Sequence, residues 1–213
     1  MKVLYLTRKN IKYQKNIHKI LKKKFSNINV VYSKKTRETL SKKFNVSYDY
    51  VFSYRSYIIL KKDFLKKVKF SAINFHPAPP NLRGFAPASF AIIKKLKKFG
   101  STIHIMNDKI DNGRILDVKL FSINENINIK KLLKLTYQNQ YEQIKIFLDK
   151  YDSIINSKNN YKWSKKIYYK KNIDDLMEIK NSYSKEKINL IIKATKIGKY
   201  KPFKLKNNKK KIY

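Results

Sequence analysis

The 213-residue chain contains no cysteine, four glycines, five prolines and one tryptophan. Without cysteine there is no disulfide, no thiolate metal site and no cysteine nucleophile. The three histidines, His18, His76 and His104, stand far apart in sequence, so a histidine-rich metal site is not expected. Acidic residues are scarce as well, with 14 Asp+Glu against 51 Lys+Arg and a formal net charge of +37. A surface this basic attracts anions and invites a nucleic-acid reading. The shortage of arginine argues against that reading. Only Arg8, Arg37, Arg55, Arg83 and Arg114 carry the forked head that reads phosphates and bases, and the lysines run from Lys2 to Lys211 without forming a stripe. Enrichment in Lys, Asn and Ile reads instead as the drift of an AT-rich coding sequence, so nucleic acid is not the expected partner. No apolar run approaches the ~18 residues of a membrane span. The opening MKVLYLTRKN is charged too early for a signal peptide. A soluble cytoplasmic protein is the expectation.

What is present suffices for a core: 42% hydrophobic and 14% aromatic residues stand against 31% charged, enough apolar surface to offset chain entropy. Residues 3–7 read as a strand, after which Ile17, Ile20, Leu21 and Phe25 recur at helical spacing. Residues 28–33 and 48–54 read as strands with a short helix, KKTRETLSKKF, between them. A brief helix at LKKDFLKKV precedes a strand at SAINFH. This alternation predicts an α/β fold, a Rossmann-like, mostly parallel sheet with helices on both faces. APASFAIIKKLKKFG reads as a helix with Pro87 in its first turn and Gly100 as its stop. STIHIM and RILDVKLFSI read as strands joined directly by the turn NDKIDNG. A long helix is predicted over residues 129–148, capped by Asn128, with Leu132, Leu133, Tyr137, Tyr141, Ile144 and Leu148 on one face. Later the pattern weakens, with helices at NIDDLMEIK and SKEKINLIIKA and a hairpin turning at Asn207 and Asn208. The expected organisation is one main domain over residues 1–150 and a small C-terminal α+β appendage over residues 151–213.

Chemistry concentrates at one strand exit. The stretch SAINFHPAPPNLRG holds three of the five prolines, with Asn74 and His76 at its entrance. Two residues apart in an extended strand, their side chains share a face. An amide donor and an imidazole converging on one point can stabilise an oxyanion. A carboxylate, Asp111 in the KIDNG turn, would hold that imidazole and help move a proton. Pro77, Pro79 and Pro80 each fix φ and remove a donor, so the chain leaves the strand as a stiff arm of the kind that positions ligands. On these residues alone, the pair equally fits a strand-end Asn in turn hydrogen bonds and a packed His.

INFHPAPPNLRGFAP followed by GSTIHIMNDKIDNGRIL resembles the signature of the formyltransferases that use 10-formyltetrahydrofolate, in order, spacing and intervening helix, over residues 48–123. The resemblance implies that residues 1–150 are the catalytic domain and that Asn74, His76 and Asp111 are the catalytic triad. An unprotonated amine would attack the formyl carbon, and the Asn74 amide and the His76 imidazolium would hold the oxyanion. Asp111 would orient His76 and assist proton removal, with no metal required. It also implies a folate pocket built from Ser53, Tyr54, Tyr57 and Ile58 together with Asn107, Asp108 and Ile110. His104 is read as an ordinary strand residue and His18 as a helix-surface residue. In two respects the chain departs from the family pattern. The Gly-rich loop expected near the first strand is absent, and the stretch before Asn74 is shorter by about one strand–helix unit of the ~30-residue scale.

FHPAPP, IDNGRILDVKLFSI and the closing IIKATKIGKYKPFKLKNNKKKIY are similar to sugar N-formyltransferases. That implies a nucleotide-linked amino sugar as substrate and a homodimer paired through the C-terminal strands. Methionyl-tRNA formyltransferases share the RG-x-A-P of residues 83–87 but carry a C-terminal barrel domain for which this tail is short. Glycinamide ribonucleotide transformylases match in length and lack the HPAPP run. The opposing reading is a non-catalytic basic protein that binds RNA or another polyanion on the same scaffold.

Overall fold

The computed structural model describes residues 1–198, 200–206 and 209–212. Its centre is a six-stranded sheet formed by β1 (Lys2–Thr7), β2 (Asn27–Tyr32), β3 (Tyr48–Tyr54), β4 (Val68–His76), β5 (Lys98–Ile105) and β6 (Ile115–Ser122). The spatial order is β2-β1-β3-β4-β5-β6. The first four strands run parallel, and β5 and β6 are antiparallel to their neighbours. The mostly parallel α/β sheet expected from the alternation of strands and helices is therefore what the chain forms.

Side-chain alternation sorts the core into two faces. Val3, Tyr5, Phe52, Tyr54, Ile73, Phe75 and Ile103 pack with α1 (Gln14–Lys24) and α4 (Ile129–Asp149) through Ile17, Leu21, Ile144 and Phe147. Leu4, Leu6, Val51 and Ala72 point the other way and meet Phe64 of the short α2 (Lys62–Leu65). Asn74 and His76, in register with Ala72, face this second side.

A third cluster joins α3 (Pro87–Ile93) and the start of α4 to the C-terminal part of the chain. Phe90, Phe99 and Leu132 pack with Tyr168, with Ile173 of α6 (Lys170–Met177) and with Ala194 of α7 (Lys185–Thr195). A single-turn helix α5 (Tyr151–Asn156) and an extended segment connect α4 to Tyr168. The chain closes on two antiparallel strands, β7 (Phe203–Lys206) and β8 (Lys209–Ile212), and the expected turn residues Asn207 and Asn208 lie outside the described residues.

Two predicted elements differ. KKTRETLSKKF is not a helix: Arg37 takes φ 59°, and the Glu38 carboxylate accepts the Lys34 and Lys35 N–H groups at 2.6 and 3.1 Å. The segment forms a turn, a two-residue bridge of Glu38–Thr39 to Ile58–Ile59, and a 3₁₀ turn at Lys42–Phe44. Its polar side chains find local backbone partners, which competes with a helix. The helix after the prolines ends at Ile93, not at Gly100, because Lys95 adopts φ 50°. Gly100 lies within β5 opposite Leu120, where a Cβ would stand 2.2 Å from the Lys119 carbonyl oxygen.

Candidate active site

β4 ends at His76 because Pro77 offers no N–H to continue the ladder. The arm beyond it is pinned carbonyl by carbonyl. Ala78 O accepts from the Thr102 hydroxyl (2.7 Å), Pro79 O from Leu82 N–H (3.0 Å) and Pro80 O from Ser164 N–H (3.1 Å). Held in this way, the arm turns back, and Leu82 O lies 3.2 Å from His76 Nε2.

The turn between β5 and β6 brings Asp111 to the same place. Asp111 Oδ2 stands 3.4 Å from His76 Nδ1, and Oδ1 stands 3.6 Å from His104 Nε2. Gly84 N–H donates to Oδ2 at 2.9 Å. Gly84 itself has φ 90°, and a Cβ there would meet the Tyr168 carbonyl oxygen at 2.2 Å, so glycine alone fits. His104 Nδ1–H donates to Ile105 O (2.8 Å), which leaves its Nε2 lone pair to accept from Asn74 Nδ2–H at 3.1 Å. One amide proton of Asn74 fixes its orientation in this way, and the second remains for a ligand.

Burial of the Asp111 carboxyl pushes its pKa up, but the His76 and His104 imidazoles and the Gly84 N–H outweigh that effect and hold it well below the carboxylate range. Burial pushes the His76 imidazole down from its ordinary value, against the pull of the Asp111 carboxylate. Burial, with the ring 4% exposed, favours the neutral form at rest, and the imidazolium expected during the reaction is favoured once negative charge arrives beside it. Nε2–H is directed at Leu82 O and Nδ1 faces Asp111, so a proton taken up at Nδ1 is shared with that carboxylate.

The sequence-predicted residues fall into four groups. Asn74, His76 and Asp111 are brought together, with Ser53 next to Asn74 in register across β3 and β4. Ile110, Asn107 and Asp108 lie on the turn that carries Asp111, all exposed. The Ile110 carbonyl accepts from Arg83 (2.8 Å), and Asn107 Oδ1 accepts from Lys109 N–H (3.0 Å). Tyr57 and Ile58 lie at the exit of β3, where Tyr57 N–H donates to Ser33 Oγ (2.9 Å) and its hydroxyl pairs with the Arg8 guanidinium. Tyr54 is not part of this face: it points into the opposite core, its hydroxyl donating to Lys12 O at 3.0 Å. In a strand exit the residue after Ser53 must alternate away from it.

Three residues were missed. His104 is a strand residue, as expected, yet its register opposite Asn74 puts its ring in the site. The two-residue spacing that pairs Asn74 with His76 could have found it, given the antiparallel neighbour. Trp163, in the stretch where the sequence pattern weakens, meets His104 (centroids 5.0 Å apart) and His76 (5.9 Å) in T-shaped contacts. Arg83, 6% exposed, donates to Ser164 O (2.9 Å), Ile110 O (2.8 Å) and Asn112 Oδ1 (3.1 Å). A cavity of about 260 Å³ opens beside Pro77, lined by Arg8, Tyr57, Phe85, Pro87 and Tyr137 among others. A larger one of about 520 Å³ lies between the Asp111 turn and residues 157–163.

A Rossmann-like sheet with an amide, an imidazole and an ionised carboxylate gathered at the exit of an inner strand defines a class of group-transfer fold. The chain belongs to the formyl transferase family, whose model matches residues 6–145. A methionyl-tRNA formyltransferase from Ehrlichia ruminantium (strain Gardel) is 41% identical over 76 residues, 35% of this chain and 25% of that one. The chain spans well under half the length of the curated relatives it matches. Among solved structures, a sugar N-formyltransferase from Shewanella sp FDAARGOS_354 superposes with a TM-score of 0.80 at 22% identity, covering 100% of this chain and 96% of that one. An N-formyltransferase from Helicobacter canadensis, solved with folinic acid and dTDP-3-aminofucose, has a TM-score of 0.72 at 21% identity, covering 91% and 80%. Among the described residues no helix is long and apolar enough to cross a membrane.

Proposed function

We propose that this protein transfers a formyl group from 10-formyltetrahydrofolate to the amino group of a nucleotide-linked amino sugar. The observation that carries the reading is the convergence of His76 Nδ1 on Asp111 at 3.4 Å beside an Asn74 amide whose orientation is fixed by His104. These residues fit a formamide donor: an N–H for the carbonyl oxygen, a neutral ring nitrogen for a proton, and an ionised carboxylate behind it. The exposed turn of Asn107, Asp108 and Ile110 offers polar backbone beside them for a pterin.

Bound 10-formyltetrahydrofolate supplies the electrophilic formyl carbon and N10 as leaving group. Asn74 directs its free N–H at the formyl oxygen, where charge develops as the amine nitrogen bonds to carbon. The proton that the amine loses passes to the His76–Asp111 pair, and the imidazolium so formed lies beside the oxyanion as a positive charge. Asp111 holds that imidazolium, and His76 then returns the proton to N10 as the bond from carbon to N10 breaks. The proton balance closes on a formamide and tetrahydrofolate.

The sugar assignment is supported by the full-length superposition on the Shewanella sugar N-formyltransferase and by the neighbour solved with a nucleotide-linked amino sugar and a folate. The cavity beside Pro77 suits such a substrate: Arg8 lines it, and no carboxylate is among its lining residues. Pairing of two copies through the C-terminal strands belongs to the same reading. A second reading, formylation of methionyl-tRNA, is favoured by the 41% identity to that enzyme and by the charge of +37. Incubation with 10-formyltetrahydrofolate and a panel of nucleotide-linked amino sugars, glycinamide ribonucleotide and methionyl-tRNA, scored by the mass gain of one formyl group, separates them. Product on a sugar alone supports the first reading, product on tRNA the second, and no product with any amine sinks both.

A further inference from the structure

Trp163 lies beyond residue 145, where the family match ends, and is the sole tryptophan of the chain. Its Nε1–H donates to the Gly113 carbonyl at 2.7 Å, and its ring stands at 89° to His104 and 69° to His76. It belongs to an extended strap that crosses the site. Asn159 Nδ2 donates to Ile115 O at 3.0 Å, Ser164 N–H binds Pro80 O, and Ile167–Tyr168 pairs in parallel with Arg83–Gly84.

The strap meets a turn that needs holding. Asp111 adopts φ 42°, a left-handed conformation that costs a non-glycine residue energy. The carbonyls on either side of it are tied from outside, Ile110 O by Arg83 and Gly113 O by Trp163. Arg83 in turn donates to Ser164 O on the strap. The indole also makes T-shaped contacts with both imidazoles, so one side chain contacts the acceptor's turn and its two ring partners together.

We propose that Trp163 is a positioning residue: from the C-terminal strap it sets the Asp111 carboxylate against His76 and His104 and shields the pair from water. This rests on the formyl-transfer reading for its kinetic consequence, while the contact itself is testable without activity. Trp163 touches neither the reacting atoms nor, through its N–H, anything but backbone, so its loss should act on turnover and spare folate binding.

The test compares the full-length chain with Trp163→Ala and Trp163→Phe. Expected for Trp163→Ala is a fall in kcat of about 10- to 100-fold, the scale of a small misplacement of catalytic groups, with KM for the folate changed less than about threefold. Trp163→Phe keeps the edge contact and loses the N–H, so its kcat should lie between; it also decides the matter should the alanine variant fail to fold. A wild-type kcat in a folded alanine variant, or a phenylalanine variant no better than alanine, overturns the proposal. Emission from the single indole gives the ligand-free readout. The groups facing the ring are His76 from β4, His104 from β5 and Arg83 from the arm, with Asp111 behind the imidazoles and Lys162 and Lys165 flanking it on the strap. Protonation of the His76 imidazole should quench it, and the step should vanish in His76→Asn with His104→Asn. A step unchanged in that double variant overturns the contact even if no amine is ever formylated, whereas a lost step with no product with any amine faults the activity reading alone.

Discussion

Gly84 N–H donates to Asp111 Oδ2 at 2.9 Å, so the arm leaving β4 holds the carboxylate supplied by a turn 27 residues later. Gly84→Ala should break this tie. The new Cβ would face the Tyr168 carbonyl oxygen at 2.2 Å, at a φ of 90° that an L-residue resists. A loss of about 1–3 kcal/mol is expected from the strained backbone alone, read as a lower urea midpoint. Formyl transfer should fall further than the unfolded fraction explains. An unchanged midpoint would show that the arm can shift freely.

Asn74→Ala and His76→Ala should each cost about 10²–10³ in turnover, as for the loss of an oxyanion donor. Folate-analogue affinity, measured by calorimetry, should change little, because the turn of Asn107 to Ile110 is untouched. Equal losses in affinity and turnover would instead make the pair a binding feature.

Acid should destabilise the fold in two windows. The His76 pKa is lowered in the folded state, so from about 6.5 downward the unfolded chain takes a proton that the native ring resists. Stability therefore falls with pH until the folded pKa is reached. The Asp111 pKa is lowered as well, so its contribution is present above the unfolded carboxylate value and is lost as pH falls through the folded one. Denaturation of wild type and His76→Asn at pH 8 and pH 5 isolates the first window: the variant should lose less stability than wild type. Parallel losses would mean that the His76 pKa is not depressed.

The sheet was legible because period-two and period-3.6 patterns report burial directly: Val3 and Tyr5 alternate with Leu4 and Leu6 onto opposite faces. The Asn74, His76 and Asp111 grouping was legible from motif order. Trp163 was not, since a lone aromatic in a lysine-rich linker carries no period, and only the path of the strap aims it. The end of α3 was misplaced because the helical pattern of Leu96 and Lys97 continues past Lys95, whose left-handed backbone leaves no mark in the sequence. The buried face of α4 was blurred for a different reason. Thr136, Gln140 and Gln143 are polar, so hydrophobic periodicity selected the half-buried Leu133, Tyr137 and Tyr141 beside them.

Those polar residues lead to a last prediction. Gln140 is fully buried, and its Nε2 donates to Phe75 O at 3.0 Å, the carbonyl of the residue between Asn74 and His76. Phe75 pairs with Tyr54 at the last rung of β3, so the helix supplies the partner where the strand runs out. Gln140→Glu keeps the shape and replaces a donor with an acceptor. A protonated carboxyl can still donate to Phe75 O, but an ionised one sets two acceptors against each other in a dry site. Burial will raise the carboxyl above its ordinary value of about 4.3, so the unfolded chain sheds the proton first as pH rises. The stability gap to wild type should thus be small near pH 4 and widen toward pH 7, reaching about 1–3 kcal/mol or more for an unsatisfied buried group. Urea denaturation of both proteins across that range measures it, and a gap independent of pH would mean that the Gln140 side chain does not hold β4 through this bond.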